Sequence, residues 1–263
     1  MNKKLKKYPN DNLKLKNRLK KNLITTKDTL KIYLEKIGLI KFKKINFKTI
    51  DLLDLFNINE QLAFNFYIKN KYKYKKISDI GANVGVHTVI LCKLGYKVTS
   101  YEPDPVHFSY LRKNCRLNKI KPRLVKAGVY DKNSYLNFIR VVDHSPKSHL
   151  SVSSKNLNSY GKKIKIKIKV LKLKEVIKNT DLLKIDVEGS EAKMIKSLKT
   201  KDDFTSDILV EISNKNNATL IYNHLKKLKL NFFNLSNFKK KKINNSNEMP
   251  ISHLDGFLII KKS

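Results

Sequence analysis

A turn of small residues, Asp79-Ile80-Gly81-Ala82-Asn83-Val84-Gly85, follows directly on the strand-like Lys76-Ile77-Ser78. A helix-length gap and a second strand separate it from Tyr101-Glu102-Pro103-Asp104-Pro105. Small residues at a strand's end let the backbone swing into a helix and approach a ligand closely, with N–H groups exposed at the helix start. Glu102, 21 residues beyond Gly81, closes the next strand, where a carboxylate accepts the hydroxyl hydrogens of a ribose. The pair therefore points to a nucleoside-containing cofactor. A dinucleotide fingerprint needs glycine where Asn83 stands, and the phosphate-binding GxxxxGK[ST] is absent, so neither of those cofactor classes fits.

A third carboxylate, Asp186, ends the apolar run Leu182-Leu183-Lys184-Ile185 and leads into Val187-Glu188-Gly189-Ser190-Glu191. A charge at that place is costly unless it faces a site or meets a partner. The D-x-G-x-N-x-G turn, followed by an acid closing the next strand, is similar to the S-adenosylmethionine site of class I methyltransferases. The run from Leu182 to Glu191 resembles the L-K-I-D-V-E-G-x-E signature of the FkbM methyltransferases. That family also shows D-I-G-A-N-V-G at the first strand, E-P-x-P at the second and a v-E-i strand after the signature, here Val210-Glu211-Ile212. The resemblance spans Lys75 to Ile212 and, more loosely, reaches Ile260.

The resemblance implies S-adenosylmethionine as cofactor and transfer of its methyl group, with hydroxyls of carbohydrates or small metabolites as the family's acceptors. S-adenosylmethionine has no pyrophosphate, so the turn must hold an amino-acid end. Asp79 suits its ammonium, and N–H groups from Gly85 to Thr88 suit its carboxylate. The expected cofactor-binding set is Asp79, Gly81, Ala82, Asn83, Gly85, His87, Thr88, Glu102, Pro103, Ala127, Gly128 and Asp186, with the adenine resting on the small residues at Ala127 and Gly128. Asp186 is the first choice for the catalytic position, as general base or as holder of the ammonium. Lys184, on the same strand face, and Glu211 complete the catalytic candidates. Asp186, Glu211 and Asn214 resemble the oxygen ligands of magnesium-dependent catechol-type methyltransferases, but the spacing differs, and no metal is expected. Glu188 and Glu191 read as acids favoured at a helix start, and Asp131 ranks low as an adenine partner. His144, His149 and His253 fall in loops or before the last strand and read as solvent-exposed.

These residues need a scaffold. After a helical stretch from Asn59 to Lys71, strand and helix alternate: Lys76–Ile80, Val86–Leu94, Lys97–Tyr101, Pro105–Leu117, Arg123–Ala127. The pattern resumes with Leu182–Val187, Ser190–Leu198, Asp207–Ile212 and Ala218–Lys229, and ends with a strand pair at Asn231–Leu235 and Gly256–Lys261. Repeated βαβ units make an α/β fold: a seven-stranded, mostly parallel Rossmann-like methyltransferase sheet with helices on both faces and the last strand antiparallel. Tyr135–Val142 and Lys163–Leu173 read as extra strands flanking a polar, lid-like loop at 143–161. Residues 1–45 read as a basic extension, helical over Asn22 to Gly38 or partly disordered, before a catalytic domain at 46–263.

The net charge of +35 would ordinarily point to nucleic acid or an anionic surface. Here it rests on 52 Lys against 5 Arg, with no Trp, a bias spread along the chain rather than a set of planar guanidinium forks. A small-molecule or glycan substrate is expected ahead of nucleic acid. Adenine N6 enzymes resemble one another in a D/N-P-P-Y/F sequence where this chain has Asp186-Val187-Glu188-Gly189. Cytosine C5 enzymes need a nucleophilic thiol that Cys92 and Cys115, both in helices without a CxxC spacing, do not supply. A non-catalytic protein that kept the fold is a third reading. No apolar run is long enough for a membrane span, and a cytoplasmic location is the expectation.

Overall fold

The computed structural model describes residues 22–44, 56–141, 149–150 and 162–263. It begins with a three-stranded antiparallel sheet, β1 (Leu23–Thr25), β2 (Thr29–Leu34) and β3 (Gly38–Lys43). This corrects the helix expected over Asn22 to Gly38. Leu30, Ile32 and Leu34 are buried at every second position, and Ile40 and Phe42 repeat the pattern, so the period of two outweighs the scattered apolar rhythm. The intervening turn uses positive φ at Lys36 (68°) and Gly38 (90°). The sheet packs its buried face into the apolar core. The rest of the expected extension, and most of the expected lid at 143–161, lie outside the described residues.

Helix α1 (Ile58–Lys69) is capped by the Asn57 side chain, which accepts from the N–H groups of Asn59 and Glu60. The main sheet then starts with β4 (Lys76–Ile80), whose last four residues are all buried. Next come α2 (Val86–Lys93), β5 (Lys97–Tyr101), α3 (Pro105–Leu117) and β6 (Arg123–Val125). Helix α2 buries Val86 to Leu91 without a break because it lies under both the sheet and the N-terminal strands. In α3, Pro105 pre-sets the first turn and the Asp104 carboxylate accepts from the N–H groups of Val106 and His107. Asn114 and Asn118 of the same helix accept from the N–H groups of Lys43 (2.7 Å) and Lys41 (2.9 Å), which satisfies the open edge of β3.

A second, four-stranded sheet follows from the segment between β6 and the fourth core strand. It comprises β7 (Gly128–Tyr130), β8 (Ser134–Val141), β9 (His149–Leu150) and β10 (Lys163–Lys172), in the order β7-β10-β8-β9. Both extra strands of the sequence reading belong here. Helix α4 (Leu173–Val176) returns the chain to the main sheet through β11 (Leu182–Ile185), α5 (Glu191–Lys196), β12 (Asp207–Glu211), α6 (Lys215–Lys227), β13 (Phe232–Ser236), β14 (Lys239–Lys242) and β15 (Phe257–Ile260).

The main sheet runs β14-β13-β15-β12-β11-β4-β5-β6. From β12 to β6 every pairing is parallel, and β15 inserts antiparallel between β12 and β13. It has eight strands rather than the expected seven, because β13 turns back into β14 at Asn237 and Phe238, both with positive φ. A run of four exposed lysines hides β14 from sequence reading, and the same lysines protect that edge from pairing with other chains. The carboxyl ends of β4, β5, β11 and β12 lie along one rim of the sheet, which is where an open α/β sheet forms its crevice.

Candidate active site

The turn after β4 is shaped by close backbone contacts. Gly81 has φ +77°, and a Cβ built on it would lie 1.8 Å from the carbonyl oxygen of Asp186. The N–H groups of Gly81 and Ala82 both donate to Tyr101 O at 3.0 Å, while the Asp186 N–H donates to Ile80 O at 3.1 Å. Three strand ends are thereby locked at one point. Asn83 adopts φ +53°, a left-handed conformation that asparagine tolerates, and its N–H donates to Glu102 Oε2 at 2.7 Å. Glu102 Oε1 accepts from Asp104 N–H at 2.8 Å, so both carboxylate oxygens are oriented by backbone. Gly85 (φ +94°) opens α2 without a side-chain cap, and its α-hydrogen side faces Leu111 Cδ1, 2.5 Å from where a Cβ would sit.

A cleft lies along this rim. From the expected set, Gly81, Asn83, Glu102, Pro103, Gly128 and Asp186 line it. Seven further residues line it: Ile80, Val129, Val187 and Glu188 adjoin the expected motifs, and His107, Phe138 and Ile168 were not expected. Phe138 and Ile168 come from β8 and β10, so the second sheet forms one apolar wall of the cleft. That sheet is fastened to the Glu102-Pro103-Asp104 segment by Arg140, whose Nε lies 3.3 Å from Asp104 Oδ2. Burial pushes Glu102 up to about 8, and it pushes His107 down to about 4, leaving that ring neutral.

Other expected residues sit behind the cleft wall. Asp79 is fully buried: its Oδ2 accepts from Thr88 Oγ1 at 2.7 Å, and Thr88 also meets Ser100 Oγ at 2.8 Å. Asp79 Oδ1 has no hydrogen-bond partner and lies 3.5 Å from Lys184 Nζ. Lys184, 2% exposed inside β11, stands an equal 3.5 Å from Asp186 Oδ2. Burial disfavours this cation, but Asp79, Asp186, Glu60 and Glu211 outweigh burial and raise its pKa, so it stays charged. His87 is drawn away from the turn. Its Nε2 lies 2.7 Å from Glu60 Oε2 and its Nδ1 2.9 Å from Tyr67 Oη, both on α1. Ala82 and Ala127 are buried.

Glu211 ends β12 half-buried, on the strand beside Asp186. Glu191, 1% exposed, accepts from Gly189 N–H (2.8 Å), Ser213 Oγ (2.9 Å) and Asn217 Nδ2 (2.6 Å). It therefore braces the left-handed Glu188-Gly189 turn that follows Asp186, a task beyond the helix-start role expected of it. Asn214 caps α6, accepting from Asn217 N–H. Asp131 pairs with Lys193 at 3.7 Å, and His253 is exposed. His144 and the side chain of His149 lie outside the described residues. Burial pushes both Cys92 and Cys115 up to about 12, which keeps their thiols protonated.

The parallel run from β6 to β12, the antiparallel β15 between β12 and β13, and the glycine turn facing the ends of β5 and β11 define an α/β methyltransferase-like fold. A sequence model of the methyltransferase FkbM domain matches residues 79–243, well over half of the chain, and the chain belongs to that family. A search of curated protein sequences finds no match. Solved structures with related folds include the tRNA (uracil-54, C5)-methyltransferase of Pyrococcus abyssi with bound S-adenosyl-L-homocysteine, 14% identical with a TM-score of 0.45. The alignment covers 91% of this chain and 45% of that one. A T. thermophilus 16S rRNA N2 G1207 methyltransferase with AdoMet and guanosine is 11% identical, with a TM-score of 0.45 and coverage of 90% and 52%. A ribosomal protein L11 methylase of Lactobacillus delbrueckii subsp. bulgaricus is 13% identical, with a TM-score of 0.44 and coverage of 78% and 79%. The chain thus spans about half the length of the first two. No helix among the described residues is long and apolar enough to cross a membrane.

Proposed function

We propose that this chain is an S-adenosylmethionine-dependent methyltransferase that methylates a hydroxyl oxygen of a sugar, glycan or small metabolite. The observation that carries the cofactor is Glu102, held on both oxygens by N–H groups and aimed along a cleft whose floor, at Gly81, has no room for a side chain. Glu102 would hold the ribose hydroxyls. Pro103, Gly128, Val129, Phe138 and Ile168 would flank the base. Asp186, which lines the cleft, and Asp79, buried behind it with Oδ1 lacking a hydrogen bond, supply negative charge toward the amino-acid end. Bound S-adenosylmethionine supplies an electrophilic methyl carbon, and the chain's task is to align an acceptor oxygen behind it and remove a proton. The hydroxyl acceptor rests on family membership and on the carboxylates Asp186, Glu188 and Glu211, which suit hydrogen bonds from a polyol.

A pH dependence follows. Ribose hydroxyls donate to an ionised Glu102, and burial has raised this group to about 8, so it must lose a proton on binding. Affinity for the cofactor should therefore rise about tenfold per pH unit between pH 6 and 7 and level off above 8. Titration calorimetry across pH 6 to 9 would show this, and a flat profile would count against the role given to Glu102.

Transfer to RNA is a second reading, favoured by one feature. Lys163, Lys165, Lys167 and Lys169 project from the exposed face of β10, and Lys167 lies over the exposed ring of Tyr135, 5.8 Å from its centroid. Incubation with methyl-labelled S-adenosylmethionine and separated glycan, lipid, RNA and metabolite fractions decides between the two. The proposal expects label in an alkali-stable ether of a glycan or metabolite. Label confined to RNA would replace it with the second reading.

A further inference from the structure

We propose that Glu211 is the group that takes the acceptor's proton, while Asp186 serves to hold the amino-acid end of the cofactor; the assignment rests on the methyltransferase reading above. A census of the carboxylates around the crevice leads to it. Glu102 is held by two N–H groups, and Asp79 by Thr88 and Lys184. Asp186 faces Lys184, Glu60 is bonded to His87, and Glu191 accepts from three donors. Glu188 has interactions of its own. Glu211 contrasts with all of these. Its carboxylate forms no hydrogen bond or ion pair with a described residue, and its strand ends beside that of Asp186, since Ile185 and Val210 are in register. Half-buried, it stands at the carboxyl end of β12, next to the strand whose following residues Asp186, Val187 and Glu188 line the cleft.

The charges facing Glu211 are Lys184 from β11, Asp186 and Glu188 from the following loop and Glu60 from α1. Burial, then Asp186, Glu60 and Glu188, raise its pKa well above the usual carboxyl range, with Lys184 opposing them. Burial and these three carboxyls thus favour its protonated form, and Lys184 opposes them. A sulfonium charge brought into this acidic surround favours ionisation, and the base is then ready when the methyl donor is present. In the transfer, the acceptor oxygen forms a bond to the methyl carbon, the carbon–sulfur bond breaks with its electron pair going to sulfur, and the hydroxyl proton passes to Glu211. The positive charge on sulfur and the negative charge on Glu211 disappear together, so the crevice ends as it began.

The product S-adenosylhomocysteine shares the ribose and amino-acid end but lacks the sulfonium, which gives the test. Calorimetry of both ligands at pH 7, in two buffers of different ionisation enthalpy, counts the protons released. Glu102 contributes equally to both, so the excess for S-adenosylmethionine reports Glu211. The wild type should show that excess. Glu211→Gln should lose it while binding S-adenosylmethionine within about threefold of wild type, and should incorporate labelled methyl at least 100-fold more slowly into the acceptor fraction. A thermal midpoint no lower than wild type would show that the variant is folded. An excess of equal size in Glu211→Gln, or none in a wild type that binds both ligands, overturns the assignment. Failure of the wild type to bind S-adenosylmethionine would instead overturn the cofactor reading beneath it.

Discussion

Replacing Lys184 with methionine is expected to destabilise the protein by about 3–5 kcal/mol, the cost of removing one partner from a buried ion cluster. Lys184 is 2% exposed and stands 3.5 Å from both Asp79 Oδ1 and Asp186 Oδ2. It also helps hold the half-buried Glu60 carboxyl below its usual range, after His87. Methionine keeps the length of the stem and its packing in β11, so the loss isolates the charge. For a chain of this size the thermal midpoint should fall by roughly 10 °C. The deficit should shrink at acid pH, because the carboxyls left without their cation can then take up protons. Adding Asp79→Asn to the variant should recover part of the loss. A midpoint within 2 °C of wild type, roughly 1 kcal/mol or less, would show that the cluster is not held together by this charge.

The second large effect concerns the glycine turn. Gly81→Ala is expected to abolish cofactor binding, with at least about a 100-fold loss of affinity, or about 2.7 kcal/mol. Its Cβ would stand 1.8 Å from Asp186 O and 3.0 Å from the Asp186 carbonyl carbon. That carbonyl belongs to main chain fixed by the Asp186 N–H bond to Ile80 O, so relief requires the ends of β4 and β11 to part. Parting them displaces Asp186 and tilts the Asn83 N–H away from Glu102. Gly95→Ala is the matched control. Gly95 has a similar φ of +92°, but nothing lies within 4 Å of its Cβ position. That variant should cost about 1–2 kcal/mol of backbone strain and leave cofactor affinity unchanged. Equal affinities for the two variants, measured by titration calorimetry, would remove the close approach at Gly81 from the account.

Much of this site was legible because it is built from short, contiguous motifs. Asp79 to Gly85, Glu102 and Pro103, and Lys184 to Glu188 each combine a strand end with the loop that follows, and periodicity places such ends along one rim. What escaped sequence reading depends on contacts distant along the chain. His87 begins α2 as expected, yet Glu60 and Tyr67, 27 and 20 residues earlier, hold both of its ring nitrogens. Phe138 and Ile168 looked like ordinary strand residues, and only the separate sheet of β7 to β10 carries them to the cleft. At the N-terminus, Leu30, Ile32 and Leu34 alternate plainly, but Leu23, Ile24 and Ile37 around them produced a helix-like spacing. The eighth strand is four lysines long, a composition that carries no apolar pattern at all.

The claim on which the rest depends is that the cleft above Gly81 binds S-adenosylmethionine through Glu102, and titration calorimetry of the wild type and Glu102→Ala tests it most directly. The wild type should bind at one site per chain and the variant at least about 100-fold more weakly, since two charge-assisted ribose hydrogen bonds disappear together. No binding by the wild type, or equal binding by Glu102→Ala, would contradict it.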